Sequence, residues 1–137
     1  MIPTGTIQPF AGTVLDFRAQ KSLQGMDGAP ISLDNNFVLK EGRNVREDPA
    51  AVLTAPDRSL RLRLWTDQPG LHVYTGGGIS LEEEGILGLN GQSYPRFGAI
   101  CLEDQNFPDA VNHPNFPSPI IRPDGPPYRH WCQIEIA

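Results

Sequence analysis

The amino-acid sequence predicts an all-β fold, an antiparallel β-sandwich, on three observations. Several segments alternate apolar and polar residues with period two, the pattern of a strand with one buried face. Strong helical periodicity is absent throughout. Fourteen glycines and fourteen prolines punctuate the chain, and frequent turns suit short strands rather than long helices.

In chain order, residues 14–17 read as the first short strand, followed by residues 36–39 and 51–54. Leu60-Arg61-Leu62-Arg63-Leu64 is the clearest alternation, with leucines facing a core and arginines facing water. A Gln68-Pro69-Gly70 turn then leads into Leu71-His72-Val73-Tyr74, placing His72 and Tyr74 on the face opposite Leu71 and Val73. The Glu82-Glu83-Glu84 run reads as a solvated turn. Residues 98–102 form a short apolar strand that delivers Glu103 to a long irregular segment held by Pro108, Pro114 and Pro117. Residues 117–128 are rich in proline yet contain Ile120, Ile121 and Tyr128, and are expected to wrap in order across the sheet. Cys132-Gln133-Ile134-Glu135-Ile136 alternates again, with Cys132, Ile134 and Ile136 on one face. With no internal repeat and no flexible linker, residues 1–137 read as one unit.

Composition narrows the function classes. Hydrophobic content of 39% and charged content of 20% fit a folded chain. A net charge of -5 argues against nucleic acid as a partner, because phosphate contacts need clustered Lys and Arg. No apolar run approaches membrane-spanning length, and the first residues lack a signal-peptide pattern, so a cytoplasmic location is expected. Cys101 and Cys132 fit neither a zinc nor a C-x-x-C pattern and are expected to be small buried residues in a reducing compartment. His72, His113 and His130 lack metal-ligand spacing, so no metal site is expected.

Glu103 is the first residue with chemistry to offer. In an extended strand it shares a face with Cys101, while Ile100 and Leu102 point the other way and anchor the strand. Ala99 and Cys101 are small and leave room beside it for a ligand. Such a carboxylate can serve as a general base, although spacing alone favours a surface glutamate closing a strand. Asp34, ahead of the apolar run 36–39, reads from the residues alone as a turn residue. His72 and Tyr74 together offer a hydrogen bond and an apolar platform. His113, between Asn112 and Pro114, suits structural hydrogen bonding, and nothing singles out His130 beside Arg129 and Trp131. A glycosidase pair of Glu103 and Asp104 is not expected, since adjacent strand residues face opposite ways.

The segment Cys101-Leu102-Glu103-Asp104-Gln105 followed by Pro108-Asp109-Ala110-Val111-Asn112 resembles the signature around the catalytic glutamate of the aldose 1-epimerases (galactose mutarotases). Ile2-Pro3-Thr4-Gly5, Thr13 to Arg18, Asp34-Asn35-Asn36-Phe37 and Gln68 to Gly76 resemble other segments of that family, in the same order. The resemblance implies a galactose mutarotase-like supersandwich, of which this chain matches the C-terminal portion. It implies a cofactor-free interconversion of the α and β anomers of free hexoses such as galactose or glucose. Glu103 would withdraw the C1 hydroxyl proton, Asp34 would hydrogen-bond sugar hydroxyls, and His72 falls where many members carry a substrate-binding glutamine. The family's acidic histidine, a second active-site histidine and a sugar-binding arginine lie upstream of the Ile-Pro-Thr-Gly entry and have no counterpart here. The resemblance therefore implies pairing with an N-terminal half, or self-association, for a complete site. The alternative readings are a non-catalytic carbohydrate-binding module and an assembly subunit.

Overall fold

The structure is a computed structural model that describes residues 2–79 and 88–137; the Glu82-Glu83-Glu84 run lies outside the described residues. The described strands are β1 (Asp34–Val38), β2 (Ala51–Thr54), β3 (Arg61–Thr66), β4 (Gly70–Tyr74), β5 (Cys101–Gln105) and β6 (Cys132–Ile136). They form two three-stranded sheets, ordered β1-β4-β5 and β2-β3-β6. Among the described residues, helix is confined to two single 3-10 turns, Leu89–Gly91 and Ala110–Asn112. No described helix is long and apolar enough to cross a membrane. In the second sheet β3 runs antiparallel to both neighbours, with Leu64 opposite Ala51 on one side and Ile134 on the other.

The chain divides into two compact units, neither of them a continuous stretch. The first comprises Met1–Gly5, Asn36–His72 and Glu103–Ala137, and the second Thr6–Asn35 and Val73–Leu102. In the first unit Leu64, Thr66, Trp65, Leu71, Phe107 and Ala110 are buried. Burial of each large apolar side chain contributes about 1.5–3 kcal/mol. The Trp65 indole keeps its polar edge satisfied by donating to the Glu47 carbonyl at 3.2 Å. Phe107 meets Phe116 edge-to-face at 5.1 Å, so the segment after β5 has its own apolar anchor. Asn115 Nδ2 also ties that segment to the Gly5 carbonyl at 2.9 Å. In the second unit Leu33, Val73 and Thr75 are buried. There the Thr75 hydroxyl accepts from the Leu33 amide at 2.9 Å and donates to the Ile31 carbonyl at 3.0 Å.

Several expectations are corrected. Residues 14–17 form no strand: 14 and 15 lie in a turn, and 16 and 17 are irregular. Local side-chain bonds capture the backbone there: the Thr13 hydroxyl donates to Phe10 O at 2.7 Å, and the Asp16 carboxylate accepts from the Gly12 amide at 3.0 Å. Cys101 and Cys132 are both exposed rather than buried: Cys101 shares the open face of β5 with Glu103, and Cys132 begins a strand in which every residue is exposed. Residues 117–128 are irregular, and Ile120, Ile121 and Tyr128 remain exposed instead of packing on a sheet. Glu103 lies in the middle of β5, not at its end.

Candidate active site

Glu103 and His72 meet in the first unit. They occupy neighbouring strands, β5 and β4, and the His72 Nδ1 lies 3.5 Å from Glu103 Oε2. The alternation along β4 produces this placement: Leu71 and Val73 are buried, while His72 and Tyr74 are half-buried on the other face. Along β5 the same rule leaves Cys101 and Glu103 exposed and turns Leu102 and Asp104 inward. The Glu103 side chain is 53% exposed and the His72 side chain 25%, so the carboxylate is open to a ligand while the imidazole is partly held. A carboxylate beside an imidazole on an open sheet face can accept and relay protons.

Close packing at the start of β4 frames this pair. A Cβ on Gly70 would lie 2.9 Å from the Asn36 side-chain amide and 3.1 Å from the Gln105 carbonyl. Gln105 Nε2 in turn donates to Asn36 Oδ1 at 3.3 Å, bridging β5 to β1. Asp34, the other carboxylate singled out in the sequence, begins β1 and belongs to the second unit, where it is exposed. A cleft of about 330 Å³ in that unit is lined by Leu23, Ile31, Phe97 and Ile100 among others, and holds none of the candidate residues.

The remaining histidines behave differently from expectation. His113 packs against Phe116 with ring centroids 4.9 Å apart. Its buried Nε2 lies 3.4 Å from Asp109 Oδ2 without forming a hydrogen bond, so it packs rather than bonds. His130, which the sequence left unremarked, lies with Nε2 2.5 Å from Asp104 Oδ2. The same carboxylate oxygen accepts from the fully buried Thr66 hydroxyl at 2.5 Å, and Asp104 also takes a hydrogen bond from Cys132. Burial pushes the Asp104 carboxyl up, but the bonds from Thr66 and His130 outweigh it and hold the group below the usual carboxylate range. Burial and the Asp104 charge push the Cys132 thiol up. One signal in the sequence pointed here: on a strand whose inward neighbour is Leu102, an inward aspartate requires buried partners. Among the described residues no group of three or more His, Cys, Asp or Glu could hold a metal ion.

The family model for aldose 1-epimerase matches residues 1–135. The chain is similar to the galactose mutarotase of Homo sapiens, at 40% identity over 144 residues, and to that of Mus musculus, at 38% over 142. Each alignment covers 100% of this chain and 40% of the relative. It is 31% identical to the aldose 1-epimerase of Haemophilus influenzae, over 98% of this chain and 39% of that protein. The crystal structure of a GalM/aldose epimerase homologue from C. elegans superposes with a TM-score of 0.75 at 26% identity, covering 98% of this chain and 39% of that one. The all-β sandwich expected from the sequence agrees with that likeness. The chain spans about 40% of the length of the curated relatives it matches.

Proposed function

This chain belongs to the aldose 1-epimerase family, and we propose that it carries the base side of a mutarotase site, acting on free hexoses such as galactose or glucose. The observation that carries this reading is Glu103 exposed in mid-strand, with the His72 imidazole 3.5 Å from its carboxylate. In the proposed reaction the Glu103 carboxylate takes the C1 hydroxyl proton, the C1–O5 bond breaks as the C1 carbonyl forms, and O5 takes a proton from an acid. Rotation of the open-chain aldehyde and closure on its other face reverse both transfers. An acid and a base are both required, because either transfer alone leaves an unfavourable charge on the sugar. His72 donates a hydrogen bond to the sugar, and Asp34 accepts hydroxyl hydrogens, a task suited to a carboxylate because charge-assisted bonds are the stronger kind. The acid comes from a polypeptide corresponding to the part of the relatives that this chain does not match.

Polarimetry on anomerically pure galactose or glucose tests the proposal, with this chain combined with such a polypeptide. Mutarotation above the spontaneous rate is expected, and Glu103→Gln should lower it by about 10²–10⁴-fold, the usual contribution of a positioned base. Full activity in Glu103→Gln would remove Glu103 from the mechanism. Calorimetric binding of monosaccharide without turnover would instead favour a carbohydrate-binding module.

A further inference from the structure

We propose that Asp104, Thr66 and His130 form a clamp behind β5 that positions Glu103, making all three positioning residues for the proposed base. The inference rests on the reading of Glu103 given above and adds a device that holds it. Three observations carry it, and the side chains of the clamp and Glu103 all belong to the first unit.

The first is the position of Asp104. Adjacent residues of a strand share a peptide plane and project to opposite faces, so whatever fixes the Asp104 side chain also fixes the backbone from which Glu103 projects. Second, β5 is an edge strand of its sheet among the described residues, with β4 as its neighbour. Hydrogen bonding along one edge alone leaves a strand freer to twist than a central one. On its own face Glu103 is 53% exposed, with the His72 contact at 3.5 Å too long to hold it firmly. Asp104 offers restraint on the backbone beneath Glu103 from the other face.

The third observation is the bonding behind the strand. Asp104 Oδ2 accepts from Thr66 Oγ1 and His130 Nε2, both at 2.5 Å, and the carboxylate takes a further bond from Cys132. A bond from Nε2 to a carboxylate places the imidazole proton on that nitrogen. Thr66 is itself fixed: its hydroxyl accepts from the Gln68 amide at 3.0 Å, and its carbonyl accepts from the Arg43 guanidinium. His130 is held from the following residue, because the Trp131 amide donates to Asp67 Oδ2 at 3.1 Å and Arg46 stacks 3.6 Å over the Trp131 ring. The clamp therefore ties β5 of one sheet to β3 and β6 of the other. Its bonds are charge-assisted and short, the class that fixes geometry best.

The test reads the Glu103 χ1 rotamer from three-bond couplings in isotope-labelled chain, with Asp16 as the reference carboxylate in the other unit. In the unaltered chain Glu103 should hold one dominant rotamer. His130→Ala should average the Glu103 couplings while Asp16 keeps its own, and His130→Gln, whose amide can donate in place of the imidazole, should restore the single rotamer. His130 is partly exposed, so these variants keep the fold where Asp104→Ala need not. A single rotamer persisting in His130→Ala would overturn the proposal, as would averaging that reaches Asp16 or that His130→Gln fails to reverse. The couplings report position whether or not Glu103 is the base, so this result stands apart from the Glu103→Gln turnover test. In the assembled enzyme His130→Ala should lower kcat about tenfold, the effect of a modest misplacement, with KM within about twofold.

Discussion

At the scale of single residues, the contrast between Glu103 and Asp104 shows how alternation divides labour within two positions. Glu103 faces solvent and a prospective ligand, whereas Asp104 faces hydrogen-bond donors. The ionised form of Asp104 is the one those donors hold, so its folded pKa lies below the ordinary carboxylate value near 3.9. The resulting stabilisation is fully present above that ordinary value and is lost as pH falls through the depressed folded one. Urea unfolding of the chain and of Asp104→Asn should therefore differ most at pH 6 and converge as pH drops below about 4. A gap that widens on acidification would reverse the assigned direction. Thr66→Val preserves shape but removes both hydroxyl bonds. With Asp104 left short of a donor, it should cost about 1.5–3 kcal/mol in the same measurement at pH 7.

At the scale of elements, the sequence pattern located strands better than it located burial. Residues 51–54 were expected as a strand and form β2 with the same bounds, and the alternating runs at Leu60–Leu64 and Cys132–Ile136 fall on β3 and β6. Period two reveals which residues share a face but not whether anything covers it. Leu64 is 1% exposed, yet Leu60, four residues away in the same pattern, is 53% exposed. Leu64→Ala should accordingly cost about 2–5 kcal/mol. Leu60→Ala should stay within about 0.5 kcal/mol. Equal losses in urea unfolding would mean that the face over Leu60 is covered in solution. The candidate site divides the same way. Strand alternation made the outward Glu103 and His72 legible, and the family resemblance supplied their roles. The Asp104 clamp was not legible, because Thr66 and His130 lie 38 and 26 residues away in the chain and only the fold brings them together. The failed strand at residues 14–17 has the opposite cause. There Thr13 and Asp16 bond so locally that no sheet neighbour is needed.

At the scale of the molecule, surface area sets the strongest constraint. The chain exposes 10180 Å². A folded monomer of its mass exposes roughly 7,100 Å² by the usual scaling. The excess, roughly 3,000 Å² by that scaling, is more than the roughly 1,000–2,500 Å² that one chain contributes to an obligate interface of about 2,000–5,000 Å² in total. Part of that excess is apolar and ordered. Every residue of β6 is exposed, Ile134 and Ile136 are 57% and 63% exposed, and β6 ends its sheet with an unpaired edge among the described residues. Exposed apolar edge strands recruit further strands. We therefore predict that a polypeptide covering the unmatched length of the relatives binds this chain through β6, and that the double variant Ile134→Lys, Ile136→Lys prevents it. Light scattering after co-expression should give the mass of a one-to-one complex for the unaltered chain and separate species for the variant. Urea unfolding of the chain alone should change by less than about 1 kcal/mol, since both side chains already face solvent. A complex that survives the double variant would place the interface elsewhere on the excess surface. A self-associating chain that ignores the added polypeptide would make a second copy its partner instead.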